Sequence, residues 1–436
     1  MRPSVTDEML FAAYRAYRQF IPESRDREPL TWHTVPNAFM YMLPYLFLAY
    51  LARRANTHPI RLLFLPTVIA TTLRCTFQYH IETPELAHLN WVRGLAALLT
   101  IAKALDFAFA RDGRFRIGET KLRRINETLP SDYHRPNVED IQDELQAKIH
   151  RQTLLPVGLC DALEAGLSLR GIGWDYGRGQ FVPPFDRPLQ RGPFLKATAI
   201  SILQCALIVD ICESLIKLHP GVGPYGGTLF LHDLPLYMRY TLSTIVHALA
   251  GMMIIACVRL GYDICALFAV AFLDHSPLSW PPIFNNPWAA TSLHDFWARR
   301  WHQILRHVFL VYGGYPGQWI GGQCGMVIGA FLASGFFHEF GIYIVGRGLD
   351  HRATLFFVMQ AAGIFLETLW KKFRSRPVGG LGGRIWTAIW ILGLGQICTD
   401  AWLARGIGGA LLSPAWLSPT KRFLWPTLRH LLGQSS

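Results

Sequence analysis

The sequence predicts an all-α fold: a polytopic transmembrane helical bundle with a cytosolic loop region. Composition and the grouping of apolar residues carry that prediction. Of 436 residues, 51% are hydrophobic and only 17% charged, with a mean hydropathy of +0.22. A soluble domain carries about 25% charged residues, so this balance argues against a soluble globular enzyme and against disorder. The apolar residues fall in runs near the ~20 residues that cross a bilayer as a helix. Aromatic residues make up 13%, which suits rings at both membrane interfaces.

The net charge is +12. Its basic residues cluster at the ends of apolar runs, so topology and an anionic membrane surface account for them better than nucleic acid does. The eight cysteines form no C-x-x-C pair. They are expected as small buried hydrophobes, with no disulfide framework and no metal site.

Three regions are expected: residues 1–109, an amphipathic helix and the first spans; 110–194, cytosolic; and 195–436, the transmembrane core. Residues 7–20 mix Met9, Leu10, Phe11, Tyr14, Tyr17 and Phe20 with Arg15 and Arg18. That pattern is an amphipathic surface helix, not a signal segment. About eight spans follow. Residues 35–52 are uncharged, and 62–73 continue towards Tyr79. Residues 91–109 carry Lys103 and Asp106, and residues 196–216 hold Asp210 and Glu213. Residues 241–258 make the cleanest span, whereas 262–273 are too short to assign. Residues 307–338 lack Asp, Glu, Lys and Arg, enough for one span and a re-entrant turn at Gly313–Gly317. This run continues through 341–345, and 354–370 and 385–403 complete the set.

Arg53, Arg54 and Arg61 place the first loop in the cytosol under the positive-inside rule. The same alternation makes 110–194, Arg259 and the Arg299, Arg300 and Arg306 block cytosolic. Asn126 of the Asn126-Glu127-Thr128 sequon should then be unmodified.

Ionisable groups inside a membrane are costly, so they are functional candidates by default. The leading one is His338, in Ala333-Ser334-Gly335-Phe336-Phe337-His338-Glu339-Phe340-Gly341. Ser334 lies four residues earlier, on the same helix face, and could orient the ring. Gly321, Gly325, Gly329 and Ala333 recur every four residues, a ridge that lets another helix approach closely. The alternative for His338 is a structural histidine bonded to a backbone carbonyl.

A second cluster runs Trp280-Pro281-Pro282-Ile283-Phe284, then Ser292-Leu293-His294-Asp295-Phe296-Trp297-Ala298-Arg299-Arg300-Trp301-His302. Ser292 and Asp295 match a capping box, so a helix should start there. On that helix Asp295 and Arg299 are i,i+4 neighbours, as are Trp297 and Trp301. The cluster is either an interfacial anchor or a donor-rich surface for an anionic ligand such as a nucleotide phosphate. A third feature, Arg170-Gly171-Ile172-Gly173-Trp174-Asp175, permits a tight turn but is not a dinucleotide fingerprint. Asp210, Glu213, Glu367 and Asp400 are either a proton path or structural pairs, the latter favoured. No H-E-x-x-H, G-x-S-x-G or P-loop is present, and no internal repeat supports a transporter.

Residues 170–174, 280–284, 292–302 and 334–343 together resemble the wax-synthase-like branch of the membrane-bound O-acyltransferases. Within it they resemble the fungal acetyltransferases of terpenoid and meroterpenoid pathways. The resemblance implies acyl-CoA-dependent transfer to an alcohol in the endoplasmic reticulum membrane, with no bound cofactor, acetyl-CoA as co-substrate and an apolar alcohol as acceptor. It maps the catalytic His onto His338 and asks for a polar partner upstream, a role open to Asp295 or His302. Trp297, Arg299, Arg300, Trp301, Ser334 and Glu339 are then the expected substrate-binding residues. The rivals are a long-chain wax ester synthase and a proton-coupled transporter.

Overall fold

A computed structural model describes residues 4–119 and 156–427. Seven helices in it are long and apolar enough to cross a membrane: Val35–Ala52, His58–Gln78, Arg191–Ile216, Leu236–Phe272, Arg306–Tyr343, Arg352–Arg374 and Gly380–Ala404. The chain is therefore an all-α, multi-pass membrane protein. The Ala87–Phe109 helix is also 23 residues long. It carries Arg93, Lys103 and Asp106. The sequon at Asn126 and the middle of the expected cytosolic loop lie outside the described residues.

The chain divides into two compact units. One comprises residues 1–80, 93–180 and 304–316. Its core packs Tyr45, Leu48, Leu65, Val68 and Phe107 around small residues at Ala49, Ala52, Ala104, Ala108, Ala162 and Ala165. These alanines let the helix backbones approach, as small residues do between apolar helices. Two short parallel strands pair here, Glu28 opposite Tyr79 and Pro29 opposite His80. The Arg170–Asp175 turn also belongs to this unit. Gly171 and Gly173 take positive φ values of 63° and 79°, which glycine reaches without steric cost. The turn buries Trp174 beneath the guanidinium groups of Arg53 and Arg116. Asp175 accepts from Arg114 at 2.8 Å. The Val5–Phe20 helix is capped by Ser4 and buries no residue, as an interfacial helix would.

The other unit comprises residues 81–92, 181–303 and 317–436. The Arg191–Ile216 helix packs along Leu236–Phe272. The latter is one helix of 37 residues, about 55 Å at 1.5 Å per residue. It absorbs both 241–258 and 262–273, which the sequence separates because Arg259 and Gly261 interrupt the apolar run.

The chain reversal expected at Gly313–Gly317 lies further on. Leu310–Gly314 is a π-helical turn, and the non-helical residues are Gly321 (φ −133°, ψ 22°) and Gly322 (φ 59°, ψ −144°). Gly321 therefore leaves the small-residue ridge. Gly325 and Gly329 remain in it and meet Gly317, where a Cβ would collide with the Gly325 carbonyl oxygen. The glycine spacing thus serves a local hairpin. A separate close approach, Gly335 against Thr354, joins this helix to Arg352–Arg374.

The intramembrane carboxylates are structurally engaged. Asp210 accepts from Ser418 and from the Thr420 amide. Glu213 accepts from Lys217, Lys421 and the Ser413 amide. Asp400 accepts from Thr228, the Leu229 amide and Arg352.

Candidate active site

His338 sits near the C-terminal end of the Tyr315–Tyr343 helix, on the stretch after the glycine break. Its Nδ1 lies 2.7 Å from the Ser334 main-chain oxygen. A carbonyl can only accept, so Nδ1 carries the hydrogen and the neutral imidazole has its lone pair on Nε2. The orienting group at Ser334 is thus the backbone and not the hydroxyl, the geometry that i,i+4 spacing on a helix provides. On another span, His247 Nδ1 meets Thr399 Oγ1 at 2.8 Å and Nε2 meets the Ile391 carbonyl at 3.0 Å. That ring spends both nitrogens on holding helices together.

Aromatic rings enclose His338. Phe357 stacks on it at 4.5 Å between centroids, and Trp402 lies parallel at 6.4 Å. Trp297 touches Phe357 and Phe331 at 6.0 and 5.7 Å, and Trp91 backs Trp402 at 5.8 Å. The Trp297 indole donates to Gln360 Oε1 at 3.2 Å. Gln360 is fully buried, so the bond fixes both side chains.

Trp297 is delivered by an unusual turn. Ser292 Oγ accepts from the Asp295 amide at 2.9 Å, so the expected cap forms. Only Leu293–Asp295 is α-helical before Phe296–Arg300 winds as a π-helix. Its i→i+5 pitch brings Asp295 beside Arg300, which donates from Nε at 2.5 Å, and not beside Arg299 as α-geometry predicts. Arg300 also donates to the carbonyls of Asn285 and Asn286 at 3.3 and 3.2 Å, which ties residues 280–288 to the turn. Arg299 is exposed. Trp301 does contact Trp297, at 6.0 Å, and packs on Phe296 and Phe284. His302 stands edge-on to Phe284 at 5.8 Å and against Trp301 at 5.3 Å.

Three further groups hold this turn, of which the sequence singles out only Glu367. Gln303, buried, donates to the Trp297 and Trp301 carbonyls at 2.8 and 3.1 Å. Glu367 accepts from the Leu293 and His294 amides at 2.5 and 3.0 Å and from the Trp386 indole at 3.0 Å, a carboxylate placed where a helix N-terminus favours one. Gln360 could be found by the rule that singles out His338, since it is a polar side chain within an apolar run.

Glu339 faces away from its neighbour. It pairs with Arg405 at 2.9 Å, both side chains nearly fully buried, and accepts from the Asp350 amide at 2.6 Å. It fastens the segment after the helix. Among the described residues, no group of three or more His, Cys, Asp or Glu side chains could hold a metal ion.

The chain is 27% identical over 225 residues to the acetyltransferase eriL of Hericium erinaceus, covering 48% of this chain and 56% of that protein. It is 26% identical over 241 residues to the O-mevalon transferase yanI of Aspergillus niger, covering 47% and 51%. It is 30% identical over 148 residues to a probable long-chain-alcohol O-fatty-acyltransferase of Arabidopsis thaliana, covering 30% and 43%. The chain thus spans about half the length of these curated relatives. Residues 280–359, which carry both the Trp297 turn and His338, match the model of the membrane bound O-acyl transferase family.

Proposed function

We propose that the protein is an acyl-CoA-dependent O-acyltransferase of the endoplasmic reticulum membrane. It moves the acetyl group of acetyl-CoA to a hydroxyl of an apolar terpenoid or meroterpenoid intermediate. A backbone-bonded ring is equally what a structural histidine would show, so the observation that carries this reading is the match of residues 280–359, which include His338, to the acyltransferase family; the Nδ1–carbonyl bond supports it by putting the lone pair on Nε2, beside Phe357 and Trp402. In the reaction, Nε2 takes the proton of the acceptor hydroxyl while that oxygen attacks the thioester carbonyl carbon. The C–S bond then breaks, and the thiolate recovers the proton from the imidazolium. General-base catalysis of this kind is worth about 10²–10⁴-fold. No protein nucleophile is needed, because the thioester is already activated. The surrounding rings limit water and hence hydrolysis.

The other residues take roles from their positions. Asp295 is occupied by Arg300, which leaves His302 as the polar partner of the base, a donor for the charge that develops on the thioester oxygen. Trp297 and Trp301 pack the aromatic surround, Ser334 orients the base through its carbonyl, Arg300 braces the Trp297 turn and Arg299 meets phosphate. Glu339 acts through Arg405 in positioning the His338 helix.

The names of the fungal relatives support a short acyl group, and the plant relative's name supports a long one. We read Phe357 and Trp402, packed on His338, as closing the site to a long chain, which favours the short one. Asp210 and Glu213 are held by fixed donors, which disfavours them as a proton relay. The experiment is acyl transfer by microsomes bearing the protein, with acetyl-CoA or palmitoyl-CoA and apolar alcohols. Thiol release with acetyl-CoA supports the reading. Release with palmitoyl-CoA alone favours wax ester synthesis. No release from either, in the presence of proton-coupled uptake, overturns acyl transfer.

A further inference from the structure

The indole N–H groups of Trp91 and Trp402 are buried and have no acceptor among the described residues. Their rings touch at 5.8 Å between centroids. A buried donor left unpaired is costly, and a buried Trp N–H usually has a partner. Trp402 is also the ring that lies nearly parallel to His338, at 6.4 Å and 23°. It packs with Phe357, Phe331 and Trp297 in one cluster. An unmatched donor therefore stands beside the base, among aromatic rings.

The helix that carries Trp402, Gly395–Ala404, is held by three side chains. Gln396 accepts from Ser243 at 2.7 Å and donates to Thr244 at 3.0 Å. Thr399 meets His247 at 2.8 Å. Asp400 accepts from Thr228 and from the Leu229 amide, each at 2.7 Å. Arg405, three residues after Trp402, pairs at 2.9 Å with Glu339, the residue next to His338. That buried ion pair ties the Trp402 helix to the His338 helix, so indole and imidazole keep a fixed relation. A donor set in place before the reaction is what stabilises developing charge.

An indole N–H only donates. It cannot share the work of the base, and whatever satisfies it must accept. In acyl transfer the alcohol oxygen gives its proton to His338 Nε2 as it bonds to the thioester carbon. The carbonyl π pair moves onto the carbonyl oxygen, which becomes an anion. When C=O re-forms, C–S breaks and the thiolate takes the proton from the imidazolium. The thioester oxygen is thus the atom that gains acceptor strength during the reaction, next to the base and where rings limit water. We propose that Trp402 is a catalytic residue whose indole N–H donates to this oxyanion, alongside His302. This deepens the acyl-transfer reading and rests on it.

The test replaces the indole in two ways. Trp402→Phe keeps a ring and removes the N–H. Incorporation of β-(3-benzothienyl)alanine at position 402 keeps the bicyclic shape and puts sulfur in place of the N–H, which guards against a cavity or a failure to fold. Acetyl transfer from acetyl-CoA to farnesol, an apolar terpenoid alcohol, is measured at matched amounts of folded protein. In both variants kcat should fall about 10²-fold, the loss of one oxyanion donor. The KM for acetyl-CoA and for farnesol should stay near wild type, because the interaction strengthens only in the transition state. The pH profile of the residual activity should keep its wild-type shape, since the indole does not titrate. A benzothienyl variant with wild-type kcat would overturn the role, because the N–H would then be idle or hold only water. A raised farnesol KM at unchanged kcat would also overturn it, by making the N–H a specificity contact. Wild type that releases no thiol from acetyl-CoA with farnesol or other apolar alcohols would overturn the acyl-transfer reading and this role with it. Active wild type with equally active variants would remove the role alone.

Discussion

Arg300 donates to the carboxylate of Asp295 across five residues, one more than an α-helix would place between neighbours. The π-turn thus gives adjacent arginines different jobs. Arg300 is held by Asp295 and by two carbonyls, whereas Arg299 is exposed. Arg299→Ala should therefore raise the KM for acyl-CoA more than that for the alcohol, most strongly at low salt. Arg300→Ala should instead lower thermal stability by about 1–3 kcal/mol, the worth of charged hydrogen bonds, and Arg300→Lys should not restore it, because a single ammonium cannot copy the fork. Kinetics and melting of the two single variants decide it. Equal KM effects with equal stability would contradict the division.

Glu367 should be needed for the shape of the same turn. Glu367→Gln keeps an acceptor but loses the charge that three donors share. A loss of about 1–3 kcal/mol is expected, together with altered Trp297 fluorescence in a background without other exposed tryptophans. Unchanged melting would show that the cap is dispensable.

The hairpin makes a steric prediction. A Cβ at Gly317 or Gly325 would strike the other's carbonyl oxygen, whereas Gly321 has open space around it. Gly325→Ala should destabilise by about 1–3 kcal/mol, as overpacking does, and reduce the folded yield in membranes. Gly321→Ala should be tolerated. The comparison is read by detergent-stability chromatography, and equal behaviour of the two would contradict the close approach.

The segment after the His338 helix should be sensitive to acid. Burial opposes ionisation of Asp350, but hydrogen bonds from Arg352 outweigh it and hold this carboxyl below its ordinary value. A depressed folded value stabilises above the ordinary carboxylate pKa of about 4 and is lost as pH falls through the lower folded one. Wild-type thermal stability should thus fall more steeply below about pH 4 than that of Asp350→Asn, which should already be weaker at neutral pH. Parallel profiles would contradict this.

Much of this architecture is legible in the sequence because apolar runs and their basic ends report on the bilayer directly. The Ser292 cap and the prominence of His338 are legible for the same local reasons. The π-turn is not, since it depends on Gln303 and Glu367 reaching its backbone from outside the motif. The glycine ridge has the expected spacing, but spacing alone does not tell whether the partner is another helix or the same chain folded back at Gly321–Gly322. The continuity of the Leu236–Phe272 helix is hidden because Arg187 and Asp186, remote in sequence, accompany Arg259 and Asp263. That His338 is oriented by a carbonyl, and so has its lone pair on Nε2, is visible only in the structure.

The most direct measurement is acetyl transfer by His338→Ala and His338→Gln at matched membrane levels. The account predicts loss of at least about a hundredfold in both, the contribution of a general base. Either variant retaining more than about a tenth of wild-type activity would contradict His338 as the base.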